Sequence, residues 1–344
     1  MEIGMNANSN RRAERTKELS PINFQELVGT EISKPGRYLG NELGVKPKDW
    51  DSAGVRWALT YPELYEVGAS NLGHIILYTI INTLPDQICD RCYLPGTDLA
   101  TKLRKESQPL FAVETHRPLN AFDILGFSLA YELGATNILE MLDLANISIY
   151  SNKREDLKIN NPESCPLIFA GGPTATSNPE PYAAFFDFIA LGDGEELLPE
   201  IGLVVSEAKA NGLTRSETLN DLSEIPGIYI PSLYKSNKKD FFLKPINKSV
   251  PEKIIRRVSS PIPYYGLGLV PNIETIHDRL TIEIRRGCTR GCRFCQPGML
   301  TRPARDVKPD QIIKTVENGI KQTGYNDFTL LSLSCSDYLA LPAV

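Results

Sequence analysis

No apolar run in the chain approaches the ~20 residues that a membrane-spanning helix requires; HIILYTII, residues 74–81, is the best and is far too short. Residues 1–21, MEIGMNANSNRRAERTKELSP, lack the apolar core of a secretory signal. An excess of positive charge is also missing. The formal net charge is −5, so no global basic character argues for nucleic acid. No GxGxxG follows the first predicted strand, which disfavours an ordinary dinucleotide site. The seven cysteines are odd in number and unevenly spaced. That disfavours a disulfide scaffold and points to a reducing, cytoplasmic compartment, where clustered thiols serve metals or catalysis.

What is present is globular: 42% hydrophobic and 23% charged over 344 residues, enough for two domains. Residues 1–30 read as a disordered polar tail. Over 31–210, strand-like and helix-like patterns alternate. VRWALTY (55–61), ICDRCYL (88–94), FDILGFSL (122–129), PLIFAGG (166–172) and FFDFIALG (185–192) are the predicted strands. The helical patterns SNLGHIILYTIIN, TDLATKLRKES, ATNILEMLDLA and GEELLPEIGLVVSEAKA fall between or after them. Such alternation predicts an α/β, doubly wound parallel sheet of Rossmann type. Its ligand edge would be built from YPELYEVGASNLG, SLAYELGATN, GGPTATSNPEP and GDGEE, at the carboxyl ends of the strands. Residues 211–280 read as a linker with a β-hairpin around KSNKK. RLTIEIRRG (279–287), PDQIIKTVENGIKQTG and FTLLSLS (328–334) form a final strand–helix–strand unit.

Three cysteines, Cys288, Cys292 and Cys295, stand in RRGCTRGCRFCQPG with the spacing CxxxCxxC. Thiolates suit an iron–sulfur cluster, and a short glycine-bearing loop can bring three of them to one. No fourth cysteine follows at short range; the next is Cys335. Three thiolates on a four-iron cluster leave one iron open for another ligand. Zinc would want a fourth ligand, and His277 is the only histidine nearby. Phe294 would cover one side of such a cluster. Arg285, Arg286, Arg290 and Arg293 would offset its negative charge, or form a solvated face or a contact for RNA phosphate.

This spacing, with an aromatic in the last gap, resembles the radical S-adenosylmethionine (SAM) superfamily. KPGRYLGNE, YPELYEVGASNLG, RPLNAFDILGFSLAYELGATNILEMLDLA, AGGPTATSNPEP, GDGEE, IEIRRGCTRGCRFCQPGM and LLSLSCSDY resemble, more closely, one bacterial family that joins a cobalamin-binding-like domain to a radical SAM barrel. The resemblance covers roughly residues 34–344. It implies that Cys288, Cys292 and Cys295 hold a 4Fe–4S cluster and that SAM chelates the open iron. One-electron reduction, by a reductant such as a flavodoxin or ferredoxin, would then yield a 5′-deoxyadenosyl radical. The family's GGE-like motif is replaced here by SLSCSDY, leaving Ser334 and Asp337 as the polar groups for SAM, with Phe294 beside the cluster. The cobalamin signature DxHxxG is absent. The sheet domain either binds the corrin without a histidine ligand or serves as a docking or substrate domain. The substrate, RNA or a small molecule, is not specified. From Thr281 too few residues remain for a whole barrel, so residues 281–344 are expected to be the start of a truncated (β/α) barrel whose C-terminal part is missing, and the chain alone to be inactive. The rival readings are a corrin- or nucleotide-binding module without radical chemistry, and an electron-transfer iron–sulfur protein.

The other candidates read as structural. Cys89 and Cys92 form CxxC inside a predicted strand, where their side chains face opposite ways. Cys165 reads as packing, His74 as a residue on the polar face of a helix, and His116 as structural. Asp193 and Glu195 in GDGEE would bind a ribose or a corrin amide, or else cap the helix that follows.

Overall fold

The computed structural model describes residues 20–46, 48–236 and 242–344. Its centre is a six-stranded sheet in the order β2-β1-β3-β4-β5-β6. The strands are β1 (Val55–Tyr61), β2 (Gln87–Tyr93), β3 (Ile124–Ser128), β4 (Leu167–Gly171), β5 (Phe188–Ala190) and β6 (Ile228–Tyr229). The first five pair in parallel, and β6 closes the edge antiparallel to β5. Parallel strands covered on both faces need apolar side chains on both, which is why they read as nearly unbroken hydrophobic runs.

Helices cover both faces. α1 (Leu72–Thr83) and α4 (Gly194–Asn211) lie on one side, where Tyr78, Ile81, Leu197 and Ile201 join Trp57, Leu59 and Phe169 in one core. α2 (Thr97–Glu106) and α3 (Gly134–Leu144) lie on the other, with Leu99, Leu103, Ile138 and Met141 against Ala58, Leu125 and Phe127. α1 begins where Asn71 Oδ1 accepts the His74 backbone N–H, a side-chain cap. The doubly wound sheet is therefore present, with its order reversing between β1 and β3.

Two features depart from the sequence reading. The sheet does not end near residue 210: α5 (Arg215–Leu222) and β6 extend it into what was read as linker. The expected disordered tail falls partly on residues 1–19, which lie outside the described residues. Residues 20–30 are not loose. Leu27 is buried, the Ile22 N–H donates to the His116 carbonyl, and Phe24 stacks on His116 at 4.7 Å.

Beyond β6, β7 (Tyr234–Ser236) and β8 (Leu243–Pro245) pair antiparallel. The last unit is β9 (Leu280–Glu283), α6 (Pro309–Thr323) and β12 (Phe328–Leu331), with β9 and β12 parallel. Between β9 and α6 the chain folds back on itself. β10 (Arg285–Arg286) and β11 (Arg305–Asp306) pair antiparallel, Arg286 opposite Arg305, and residues 287–304 form the loop between these stems. α6 ends at Gly324, left-handed at φ 75, as its pattern predicts. Among the described residues no helix is long and apolar enough to cross a membrane.

Candidate functional site

The carboxyl ends of β1, β3, β4 and β5 open into a cavity of about 350 Å³. Leu59, Leu77, Phe127, Phe169 and Leu198 make most of its wall, with small residues from the strand-to-helix turns. A second cavity of about 330 Å³ adjoins it. The two share Gly73, Leu77, Gly172, Pro173, Gly192 and Gly194. The lining of the second includes the charged Asp193, Glu195, Arg256, Glu283 and Arg286, and it reaches the cysteine loop at Leu300 and Thr301. Parallel strand ends with a reversal in strand order make a crevice of this kind.

His74 lines the first cavity and corrects its sequence reading. It is 5% exposed, not on a polar face. Its ring lies 5.7 Å from those of Tyr61 and Tyr93, and Nε2 is buried without a hydrogen-bond partner. Burial, aided by the nearby Arg91 guanidinium, lowers its pKa to about 3. Behind it Arg91 is ion-paired with Glu42 and Glu114, both at 2.8 Å. Burial lifts Glu114 to about 7 against the pull of Arg91.

The cysteine loop is stitched to itself and to the sheet domain. Arg302 donates from Nε to the Gly298 carbonyl at 3.2 Å and from a terminal nitrogen to the Arg290 carbonyl at 2.9 Å. Gln296 Nε2 donates to Ser177 Oγ at 2.7 Å. Gly287 has φ 83, and a Cβ there would run into the carbonyls of Thr301 and Pro303. Only glycine lets the two ends of the loop approach so closely.

All three loop thiols are free: Cys288 buried, Cys295 half-buried, Cys292 exposed. The backbone N–H of Arg290 donates to Cys288 Sγ at 3.3 Å, and that of Gly298 to Cys295 Sγ at 3.4 Å. Among the described residues no group of three or more His, Cys, Asp or Glu side chains converges to hold a metal ion. Three thiols on one loop, two of them with backbone N–H groups on sulfur, are donors of the type that iron–sulfur clusters take. Cys335, in a 3-10 turn, packs under β12 with Sγ directed to the Leu330 carbonyl.

The remaining sequence candidates are placed as follows. Phe294 is 92% exposed, so among the described residues it covers nothing. Asp337 accepts from Arg290 Nε at 2.8 Å and from Ser334 Oγ at 2.8 Å. These two partners, Arg290 first, hold its pKa at about 2. Ser334 and Asp337 are thus joined to each other and tied to the loop by Arg290. Cys89 and Cys92 lie in separate cores on opposite faces of the sheet, and burial raises both thiol pKa values. His116 is structural, its Nε2 3.0 Å from the Tyr38 carbonyl oxygen.

Asp193 stands at the N-cap of α4 but makes no side-chain cap. Its Oδ2 instead accepts the Ser259 N–H at 2.9 Å and takes Arg305, while Glu195 takes Arg286 at 2.6 Å. Sequence reasoning missed this pairing, which joins residues about a hundred positions apart. It also missed α5, though TRSE (214–217) spells its capping box.

Residues 73–231 match the family described as the N-terminal region of radical SAM proteins. Uncharacterized protein MJ0966 of Methanocaldococcus jannaschii is 24% identical over 283 residues, 82% of this chain and 50% of that protein. Two solved structures of the radical S-adenosylmethionine methyltransferase TsrM from Kitasatospora setae are similar at 13% identity. The one with tryptophan substrate and a SAM analog gives a TM-score of 0.49 over 83% of this chain and 49% of that one. The one with cobalamin and a [4Fe-4S] cluster gives 0.46 over 81% and 48%. The chain spans about half the length of the relatives it matches.

Proposed function

We propose that this chain, a radical SAM superfamily protein, holds a 4Fe–4S cluster through Cys288, Cys292 and Cys295 and acts on S-adenosylmethionine at the ligand edge of its parallel sheet. One observation carries the reading: the loop with the three thiols is fastened beside the cavities at the carboxyl ends of β1, β3, β4 and β5. When bound and reduced, such a cluster supplies one electron to SAM, which breaks into methionine and a 5′-deoxyadenosyl radical.

The chain's own residues set the conditions for that chemistry. The N–H groups of Arg290 and Gly298 contact Cys288 Sγ and Cys295 Sγ and so help to orient both side chains. Arg286, held by Glu283 and Glu195, brings positive charge to the buried root of the loop. Cys292 is exposed, as is Arg293, which offers an external one-electron donor such as a flavodoxin or ferredoxin a short approach. The cavity at the strand ends, lined by Leu59, Leu77, Phe127, Phe169 and Leu198, adjoins the one that reaches the loop and offers an apolar environment in which a radical would meet little water. Cobalamin is the further cofactor that the sheet edge would take. His74, the one histidine in that wall, keeps Nε2 buried, so cobalt would sit there without an imidazole ligand through that nitrogen.

Anaerobic reconstitution with iron and sulfide tests the proposal. The expected product carries about four irons per chain and, once reduced, an EPR signal that changes on adding SAM. Cys288→Ala, Cys292→Ala and Cys295→Ala should each lose the cluster, and Cys335→Ala should keep it. A cluster lost in Cys335→Ala but kept in a loop variant would overturn the ligand assignment. A cluster indifferent to SAM would favour electron transfer instead.

A further inference from the structure

Two arginines stand opposite each other at the stems of the cysteine loop, Arg286 on β10 and Arg305 on β11. Both reach across to the same short stretch of the sheet domain. Arg286 pairs with Glu195 at 2.6 Å and with Asp193 at 3.4 Å, besides its fork onto Glu283. Arg305 pairs with Asp193 and donates to the carbonyls of Ser259 at 2.6 Å and Thr301 at 3.1 Å. The pairs are little exposed: side-chain values are 17% for Arg286, 4% for Glu195, 12% for Arg305 and 14% for Asp193. Water screens such contacts poorly, and removing one partner leaves a little-exposed charge uncompensated, which costs more than losing a surface pair. The turn is itself rigidly set. Gly192, at φ 103, lies against the backbone of Arg257, whose carbonyl takes the Asp193 N–H at 3.0 Å.

The geometry points to the acidic turn Asp193–Glu196 as a positioning element for the cysteine loop. Its carboxylates grip both stems, so the sheet domain sets where Cys288, two residues beyond Arg286, stands over the ligand edge. Asp193 and Glu195 are therefore positioning residues rather than ligands for a ribose or a corrin amide. Asp193, Glu195 and Glu283 face Arg286 and Arg305, with Arg256 lining the same cavity, three acidic groups against three basic ones. Loss of one carboxylate leaves the root of the loop more positive and makes a reduced cluster there easier to form. The part concerning a cluster rests on the functional proposal above; the part concerning loop order does not.

Hydrogen exchange on the full chain without iron is the primary test. Glu195→Gln and Arg286→Gln should each raise exchange across residues 287–304 about tenfold, leaving β1 and β3 protected. The double variant should exchange no faster than the quicker single one, because Arg286→Gln already removes the contact that Glu195 makes. Unchanged exchange in the loop, or effects that multiply in the double variant, would overturn the inference. If Glu195→Gln also exposes β1 and β3, Asp193→Asn decides by the same criterion, with Arg305→Gln as its partner. In reconstituted protein, Glu195→Gln should keep its iron and show a higher reduction potential; an unchanged or lower potential would sink the electrostatic part. Wild-type protein that takes up no cluster would defeat the functional proposal while leaving the exchange result standing.

Discussion

At the scale of single residues, charge and burial decide roles that residue type leaves open. His74 is buried with a pKa of about 3 against an ordinary 6.5. Its folded form therefore resists a proton that the unfolded chain accepts. Stability from this group is full above pH 6.5 and is lost as pH falls toward 3, at about 1.4 kcal/mol per pH unit. Glu114 acts in the opposite sense. Its pKa is raised to about 7 from 4.5, so the fold gains as pH falls through that window. The two slopes oppose each other between pH 6.5 and 4.5, and wild-type stability alone will not separate them. A comparison with His74→Phe does, because the Glu114 contribution is common to both proteins. Chemical denaturation should show the wild type losing about 2 kcal/mol relative to the variant between pH 7 and pH 5. A pH-independent difference would mean that His74 does not stay neutral in the fold.

At the scale of elements, the loop between β10 and β11 depends on one backbone conformation. Gly287 is left-handed at φ 83, and a side chain there would meet two carbonyl groups across the loop neck. Gly287→Ala should lower stability by about 1–3 kcal/mol in chemical denaturation and shift the neck apart. Gly291→Ala is the control, since it sits in the same loop with nothing within 4 Å of its added Cβ. Equal effects of the two changes would contradict the strain argument. The same scale shows why α5 went unread. Its apolar face is short, and the turn of sequence before it is rich in polar residues. The capping box of Thr214 and Glu217 was the available signal, since it satisfies orphan donors at a helix start whatever the helix packs against.

At the scale of the whole molecule, the two parallel sheets differ in how their strands are covered. The six-stranded sheet has helices on both faces and two separate cores. The β9–β12 sheet has two strands, and among the described residues nothing pairs with the outer edge of β12. Phe328, Leu331, Leu333 and Leu339 stand exposed along and beyond that strand. An unpaired strand edge beside exposed apolar side chains favours association with another chain. Sedimentation velocity should find concentration-dependent self-association of the chain, reduced by Leu331→Lys combined with Leu333→Lys. A monomer at all concentrations would show that this edge is protected.

What the sequence settled by itself was periodic and local. Alternating strand and helix patterns gave the parallel sheet, because strands buried on both faces admit few polar residues. The extent of α6 was legible from Ile312, Ile313, Val316 and Ile320 and from Gly324 after them. The candidate ligands Cys288, Cys292 and Cys295 were visible because all three lie on one short loop. Only the tertiary structure decided which charges meet. In the sequence Asp193 and Glu195 read as a ligand-binding or capping turn; in the fold they also pair with Arg305 and Arg286. His74 looked solvated until two tyrosines closed over it. Periodicity records which face of an element avoids water. It says nothing about which distant face arrives to cover that element, and ion pairs and buried histidines are made by that arrival.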